Sequence, residues 1–210
     1  MAHIPEGVVS TPILILGIIG AGLAVSYGLK KLDNDKIPQA AMLSAVFFIA
    51  SLITFPVGPS SIHLLFNGLM GLMLGWAAVP AIFIALVLQL MFFGYGGLLV
   101  LGVNTFNMAF PAIVIAIFLR PFLLQQLAQN RIPSRRFAIT IGAAAGSIGI
   151  ILTTLLLSAS LVFSGQEFAP MLNVILATNV PLMIIEAVVT AFIVSFLVRT
   201  SPSTFNVVTN

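Results

Sequence analysis

The stretch that decides the fold is "STPILILGIIGAGLAVSYGL", residues 10–29, which contains no charged side chain. Its length matches the roughly 20 apolar residues that an α-helix needs to cross a hydrocarbon core of about 30 Å. The stretch ends at "KKLDNDK", residues 30–36, where charged and turn-forming residues return. We therefore predict a transmembrane helix that leaves the membrane at Lys30.

The whole chain is as apolar as this first stretch. Of its 210 residues, 60% are hydrophobic and 6% are charged, whereas about a quarter of the residues of a soluble domain are charged. The composition predicts an integral membrane protein with no separate soluble domain. Cysteine is absent, so any bound metal must use nitrogen or oxygen ligands. The segment before the first apolar run carries no Lys or Arg, and we expect no cleaved signal peptide.

Six further apolar runs follow the first. They lie at about residues 38–57, 60–76, 79–93, 104–120, 137–163 and 175–197. With the first run they predict an all-α integral membrane protein, a single domain that holds a bundle of seven transmembrane helices within residues 10–200. Residues 1–9 precede the bundle as an N-terminal peptide, and residues 201–210 form a polar tail.

The positive charges predict the orientation of the bundle. All eight Lys and Arg residues lie in the segments after the first, fifth and seventh runs. Under the positive-inside rule these segments face the cytoplasm, so the N-terminus lies outside and the tail is cytoplasmic. The same topology places His3 and His63, the only two histidines of the chain, at the outer face.

Small residues predict close packing of the helices. Gly71 and Gly75 are four residues apart, as are Gly142 and Gly146. This spacing lets helix backbones approach each other in lipid. A face of the same kind on the second run, with Ala41 and Ala45, is available to a partner subunit, and the sequence leaves internal and external contacts as alternatives.

The position of His3, close to the free amine, favours a metal-binding role. When the second residue of a peptide is a histidine, the amine, the next amide nitrogen and the imidazole Nδ1 form two fused chelate rings. A nitrogen-rich plane suits Ni²⁺ or Cu²⁺, and His63 is the only other imidazole that can supply a fourth nitrogen. The alternatives are a flexible terminal residue for His3 and a hydrogen-bonded helix residue for His63.

Three asparagines accompany these histidines. Asn67 follows His63 by four residues, on the same face of the predicted third helix, and Asn104 and Asn107 stand at the outer start of the fifth run. Carboxamides orient ligand imidazoles and supporting peptide around a metal. For Asn104, capping of the fifth helix is the alternative.

Three motifs carry a resemblance to a known family. They are "HIPEGVVS" at residues 3–10, "HLLFNGLMGLMLG" at residues 63–75 and "LGVNTFNMAFPA" at residues 101–112. The chain resembles the CbiM/NikM family, the substrate-binding (S) components of energy-coupling-factor transporters for nickel and cobalt. The resemblance implies a seven-helix S component whose N-terminal peptide, residues 1–9, inserts from outside and binds the ion.

The resemblance also implies the ligands and their surroundings. The implied ligands of the ion are the terminal amine of Met1 or Ala2, the backbone and side chain of His3, and His63. Asn67, Asn104 and Asn107 match the family's motif asparagines and become the supporting shell.

The resemblance implies partners in the cell membrane of a prokaryote. They are a transmembrane scaffold (T) subunit, two ATPase subunits and a small accessory membrane component. The chain itself has no G-x-x-x-x-G-K-[ST] phosphate loop, so ATP hydrolysis must come from another subunit. The expected function is capture of Ni²⁺ or Co²⁺ at the outer face for an ATP-driven importer, without enzymatic activity and without a nucleic-acid partner.

One departure from the family affects the metal site. The family begins Met-His, whereas Ala2 separates Met1 from His3 in this chain. Removal of Met1, which a small second residue permits, makes His3 the second residue of the chain. This restores the family's arrangement, which we call the two-residue frame. If Met1 is retained, the peptide supplies an amine, two amides and an imidazole, a plane that does not need His63. We hypothesise that retention leaves the metal site displaced, weakened or empty.

Glu186 is the only acid within a predicted helix. An intramembrane carboxylate indicates function by default, and the alternative is a protonated or hydrogen-bonded structural group paired with Thr190. An ion-coupled secondary permease that works without ATPase partners is the alternative function, although its proton relay normally needs several such groups. An intramembrane enzyme would need a catalytic constellation that this composition does not offer.

Overall fold

The computed structural model describes residues 3–57, 60–128, 133–165 and 169–205. These residues form eight α-helices and one β-hairpin. The helices are α1 (Thr11–Lys30), α2 (Ile37–Ala50), α3 (Asn67–Leu74), α4 (Ala78–Phe93), α5 (Leu101–Phe118), α6 (Arg120–Ala128), α7 (Arg135–Val162) and α8 (Ala169–Thr200). The hairpin joins β1 (Thr54–Val57) to β2 (Ser60–His63), with Thr54 opposite His63.

The fold is that of a helical membrane protein with several spans. Five helical runs among the described residues are long and apolar enough to cross a bilayer, namely Thr11–Lys30, Asn67–Phe93, Leu101–Ala128, Arg135–Val162 and Leu172–Thr200. Helix length and hydropathy therefore identify five spans among the described residues, whereas seven were predicted. Helix α2 has 14 residues, fewer than the roughly 20 of a straight span, and the predicted third and fourth helices fall in one apolar run.

That apolar run reverses direction at Gly75, whose φ of +61° and ψ of −130° are not helical. Before the reversal, α3 runs beside α5 in the same direction: the Asn67 side chain donates to the Met108 carbonyl, and the Leu72 carbonyl accepts from Arg120. After the reversal, α4 returns along the bundle. Its start lies beside Gly28 near the end of α1. We call the end near His3 the histidine end and the end near Arg120 the arginine end.

The structure corrects the prediction of a helix from residue 60 to residue 76. His63 ends strand β2 and Asn67 begins α3, so the two side chains do not share a helix face. Between them Phe66 has a φ of +51°, a left-handed conformation that a non-glycine residue rarely adopts and that no continuous helix contains. Asn104 is also not a helix cap, because α5 begins at Leu101 and Asn104 lies within it.

The predicted glycine packing is confirmed at three of the four positions. A Cβ at Gly71 would lie 2.5 Å from the Ala112 carbonyl oxygen, and one at Gly146 would lie 2.5 Å from the Glu186 carbonyl oxygen. One at Gly142 would lie 2.7 Å from the Ala191 Cα. Gly71 thus fits α3 against α5, and Gly142 and Gly146 fit α7 against α8. Gly75, in contrast, makes the reversal.

Candidate metal-binding site

The histidine end brings together the two imidazoles of the chain. The rings of His3 and His63 are stacked, with centroids 5.5 Å apart and planes 25° apart. The residues are 7% and 4% exposed, and each Nε2 is buried without a hydrogen-bond partner among the described residues. Burial of an unpaired ring nitrogen costs free energy. A ligand that pairs with these nitrogens would remove that cost.

Asn104 holds the N-terminal peptide in place. Its carboxamide oxygen accepts from the N–H of Ile4 at 3.0 Å, and its amide nitrogen donates to the carbonyl of Ile4 at 3.1 Å. Ile4 itself is 2% exposed. One side chain of α5 therefore satisfies both polar groups of the residue next to His3, in the way that a neighbouring strand would.

The loop between α4 and α5 holds the next turn of the peptide. The N–H of Glu6 donates to the Gly96 carbonyl at 3.0 Å, and the Glu6 carboxylate accepts from the N–H of Leu99 at 2.9 Å. Tyr95, in the same loop, places its ring 5.7 Å from that of His3. The contact of this loop with the N-terminal peptide was not predicted from the sequence, although the glycines of "GYGG", residues 94–97, are typical of a segment that another backbone can approach closely.

The His63 ring is oriented by the backbone of the next residue. Its Nδ1 lies 3.2 Å from the Leu64 carbonyl oxygen, so the tautomer with a proton on Nδ1 donates this hydrogen bond. Nε2 then carries a free lone pair, the form in which imidazole binds a metal. His3 is also kept neutral, because burial and the nearby His63 lower its pKa from 6.5 to about 3.

Asn67 and Asn107 lie deeper in the bundle than the histidines. Asn67 donates to the Met108 carbonyl at 3.2 Å and to the Thr153 hydroxyl at 2.8 Å, and Asn107 donates to the Ser160 hydroxyl at 3.2 Å. These bonds connect α3, α5 and α7. Of the three asparagines expected in the supporting shell, only Asn104 forms a side-chain hydrogen bond to the described part of the N-terminal peptide, residues 3–9.

Glu186 does not pair with Thr190, whose hydroxyl is buried without a partner among the described residues. The Glu186 carboxylate accepts instead from the backbone N–H groups of Leu65 and Phe66. The sequence marked Glu186 as an unusual residue, but the distance of about 120 positions along the chain hid its partners.

Side chains alone do not complete a metal site in the part of the chain that is described. No group of three or more His, Asp or Glu side chains converges there. Met1 and Ala2, which were expected to contribute backbone nitrogen, lie outside the described residues. The described residues thus offer the two stacked imidazoles of His3 and His63 as candidate ligands.

Comparison with known proteins identifies the family. Residues 3–204 match the family CbiM, described as "Cobalt uptake substrate-specific transmembrane region". The chain belongs to the CbiM family. A relative from Haemophilus influenzae, provisionally named a metal transport protein, is 36% identical over 97% of both chains.

Two other matches extend the CbiM relationship. The fused nickel transport protein NikMN of Rhodobacter capsulatus is 35% identical over 55% of this chain, and the match covers 36% of that larger protein. The crystal structure of a transition metal transporter matches with a TM-score of 0.71 and 26% identity, covering 93% of this chain and 92% of the other. CbiM proteins are thus a family of cobalt and nickel transport components in the membrane.

Proposed function

We propose that this CbiM-family protein captures a nickel or cobalt ion at the histidine end of the bundle, as the substrate-binding component of an importer. The observation that carries this proposal is the buried, stacked imidazole pair, in which His63 Nε2 has no hydrogen-bond partner among the described residues. The two histidines are 60 positions apart in sequence, and the fold uses two separate segments to bring them together.

The proposed ligands are the N-terminal amine, an adjacent amide nitrogen, the imidazole of His3 and the imidazole of His63. Asn104 supports this arrangement because its two hydrogen bonds to Ile4 fix the peptide directly after His3. An all-nitrogen plane favours Ni²⁺, which also binds such ligands more tightly than Co²⁺ does. Asn67 and Asn107 support the site indirectly, through the packing of the helices that carry it.

We propose seven crossings of the membrane with the histidine end outside. The β-hairpin and α3 together make one crossing, and α1, α2, α4, α5, α7 and α8 make the other six. The reversal at Gly75 supports this count, since it separates α3 from α4. The Lys residues after α1 and the Arg residues around α6 support the orientation under the positive-inside rule.

The proposed importer also contains a transmembrane scaffold subunit, two ATPase subunits and a small accessory membrane component, in the plasma membrane of a prokaryote. The absence of a phosphate loop from the sequence supports a separate source of ATP hydrolysis. The fused nature of the Rhodobacter capsulatus relative supports association with a further transport component. Metal uptake that continues without ATPase subunits would instead support an ion-coupled permease.

Metal titration of the purified protein tests the capture site. We expect about one nickel or cobalt ion per chain, and we expect His3→Ala and His63→Ala each to lower the affinity by more than the roughly 10- to 100-fold typical of changes around the ligands. Thr105→Val is the matched control, because Thr105 is buried in α5 beside Asn104 but its hydroxyl has no partner among the described residues. Unchanged binding in both histidine variants would contradict the proposal.

Intact-mass measurement on the same samples decides the role of Met1. A chain without Met1 has the two-residue frame and should bind the ion tightly. Ala2→Leu, which favours retention of Met1, should weaken binding, and deletion of Ala2 should restore it with Met1 present. Equal affinity in all three forms would show that the frame does not matter.

A further inference from the structure

Helix α3 has both of its ends inside the bundle. All eight of its residues are buried, and the side chain of Asn67, its first residue, bonds to α5 and α7. Every helix leaves N–H groups at its start and carbonyl groups at its end without partners within the helix. Away from water, such groups must be paired by other parts of the protein. Side chains from two other elements pair backbone groups in the turn before α3 and in its last turn.

Glu186 of α8 holds the turn at the start of α3. Its side chain is 1% exposed. One carboxylate oxygen accepts from the N–H of Leu65 and from the N–H of Phe66, the latter at 3.0 Å. The turn contains the left-handed Phe66, so its conformation needs support from the surroundings.

Arg120 holds the other end of α3. Its Nε donates to the carbonyl of Leu72, in the last turn of the helix, at 3.1 Å. An acidic group near the start of a helix and a basic group near its end both complement the helix dipole. Because Glu186 belongs to α8 and Arg120 begins α6, two separate elements fix the position of α3 along the bundle.

The turn held by Glu186 is directly connected to the candidate site. Only Leu64 separates His63 from Leu65, and the Leu64 carbonyl is the group that orients the His63 ring. A shift of this turn would therefore move the imidazole away from His3. His63 and Glu186 are both buried, so the connection between them runs through packed protein and not through solvent.

We propose that Glu186 is a positioning residue for metal capture: it holds the Leu65–Phe66 turn and thereby places His63 Nε2 where the ion binds. This inference rests on the proposed function, because it takes His63 as a ligand of the ion. Glu186 does not bind the ion itself. Its effect on the metal passes through the backbone of residues 64–66 and the ring of His63.

Binding of Ni²⁺ to the purified full-length chain tests this role in a double-mutant cycle. We expect Glu186→Ala to lower affinity by about 10- to 100-fold, as is typical for residues that orient a ligand. In a His63→Ala background the same change should have little further effect, because its route to the ion has been removed. Glu186→Gln keeps an acceptor oxygen and should cause a smaller loss.

Thr190→Val provides the matched control. Thr190 lies one turn further along α8 and is fully buried, but it contacts neither Leu65 nor Phe66 through a hydrogen bond among the described residues. We expect this variant to bind nickel as the wild type does. Equal losses in Thr190→Val and Glu186→Ala would show a general packing effect and would overturn the proposal.

A measurement on the metal-free protein separates this inference from the proposed function. Diethyl pyrocarbonate modifies accessible imidazole nitrogens, and peptide mass spectrometry distinguishes His63 from His3. We expect Glu186→Ala and Glu186→Gln to speed the modification of His63. An unchanged rate, or losses of nickel affinity that simply add in the double variant, would overturn the positioning role.

The remaining outcomes are also decisive. If Glu186→Ala does not fold, Glu186→Gln in the same cycle gives the answer. If the wild type binds neither nickel nor cobalt, the proposed function fails and the metal role of Glu186 fails with it. The modification rate of His63 then still reports whether Glu186 holds the turn.

Discussion

At the scale of single residues, side chains of the same type have different roles according to what they contact. Asn104 and Asn107 lie three positions apart on α5 and are equally buried, at 3% exposure each. Asn104 bonds to the backbone of Ile4, whereas Asn107 bonds to the hydroxyl of Ser160. The first asparagine positions the N-terminal peptide, and the second joins two helices.

This difference makes Asn104→Ala and Asn107→Ala a matched pair. We expect Asn104→Ala to lower the metal affinity by about 10- to 100-fold, because both polar groups of Ile4 lose their partner. Asn107→Ala should lower the free energy of unfolding by about 1–3 kcal/mol, as expected for a lost buried hydrogen bond, with little change in affinity. Metal titration and thermal unfolding of both variants measure the two effects. Equal affinities would contradict the role given to Asn104.

At the scale of elements, α3 is the part of the fold that most departs from a simple transmembrane helix. It has eight residues and starts inside the bundle. Close contact of its glycines with neighbouring backbones allows it to fit there. The strand and turn that precede it bring His63 to the histidine end, so the placement of α3 determines the placement of one half of the imidazole pair.

Gly71→Ala tests this packing. The new methyl group would lie 2.5 Å from the Ala112 carbonyl oxygen, so α3 and α5 must move apart. We expect a loss of about 1–3 kcal/mol in the free energy of unfolding, the usual cost of overpacking. Gly22→Ala in α1 is the control, since its Cβ would meet no atom within 4 Å. Thermal unfolding in detergent compares the two, and equal melting temperatures would contradict the close approach.

At the scale of the whole molecule, function depends on which end of the bundle faces outward. The histidine end carries the imidazole pair, and the arginine end carries Arg120 and lies near the start of α4 and the end of α1. Exposed apolar side chains cover long faces of α1 and α8, as expected for helices that face lipid. Among the described residues, the candidate site lies at one end of the bundle, which suits the proposed capture from a single side.

The orientation is tested by labelling in intact cells, because the chain contains no native cysteine. Leu98→Cys lies at an exposed position of the histidine end, and Asp35→Cys lies in the exposed turn after α1. We expect a membrane-impermeant maleimide to label position 98 in whole cells, and position 35 only after the cells are opened. The reverse pattern would place the histidine end in the cytoplasm.

The membrane class and most helices could be predicted from the sequence because each depends on a local property. The predicted runs at residues 10–29, 79–93 and 137–163 agree closely with α1, α4 and α7. The segment from residue 60 to residue 76 could not be predicted in the same way. Its hydropathy is that of a helix, but the left-handed Phe66 and the support from Glu186 depend on residues far away in the chain.

The same contrast between local properties and contacts with distant residues applies to the candidate site. With only two histidines in 210 residues, the sequence by itself determined which imidazoles were available, and the apolar runs determined that they belong to a membrane protein. Only the tertiary structure decided that the two rings stack, that Asn104 holds the N-terminal peptide at Ile4, and that Glu186 supports the turn after His63. Hydrophobicity acts locally along the chain, whereas pairing of buried polar groups depends on which helices meet.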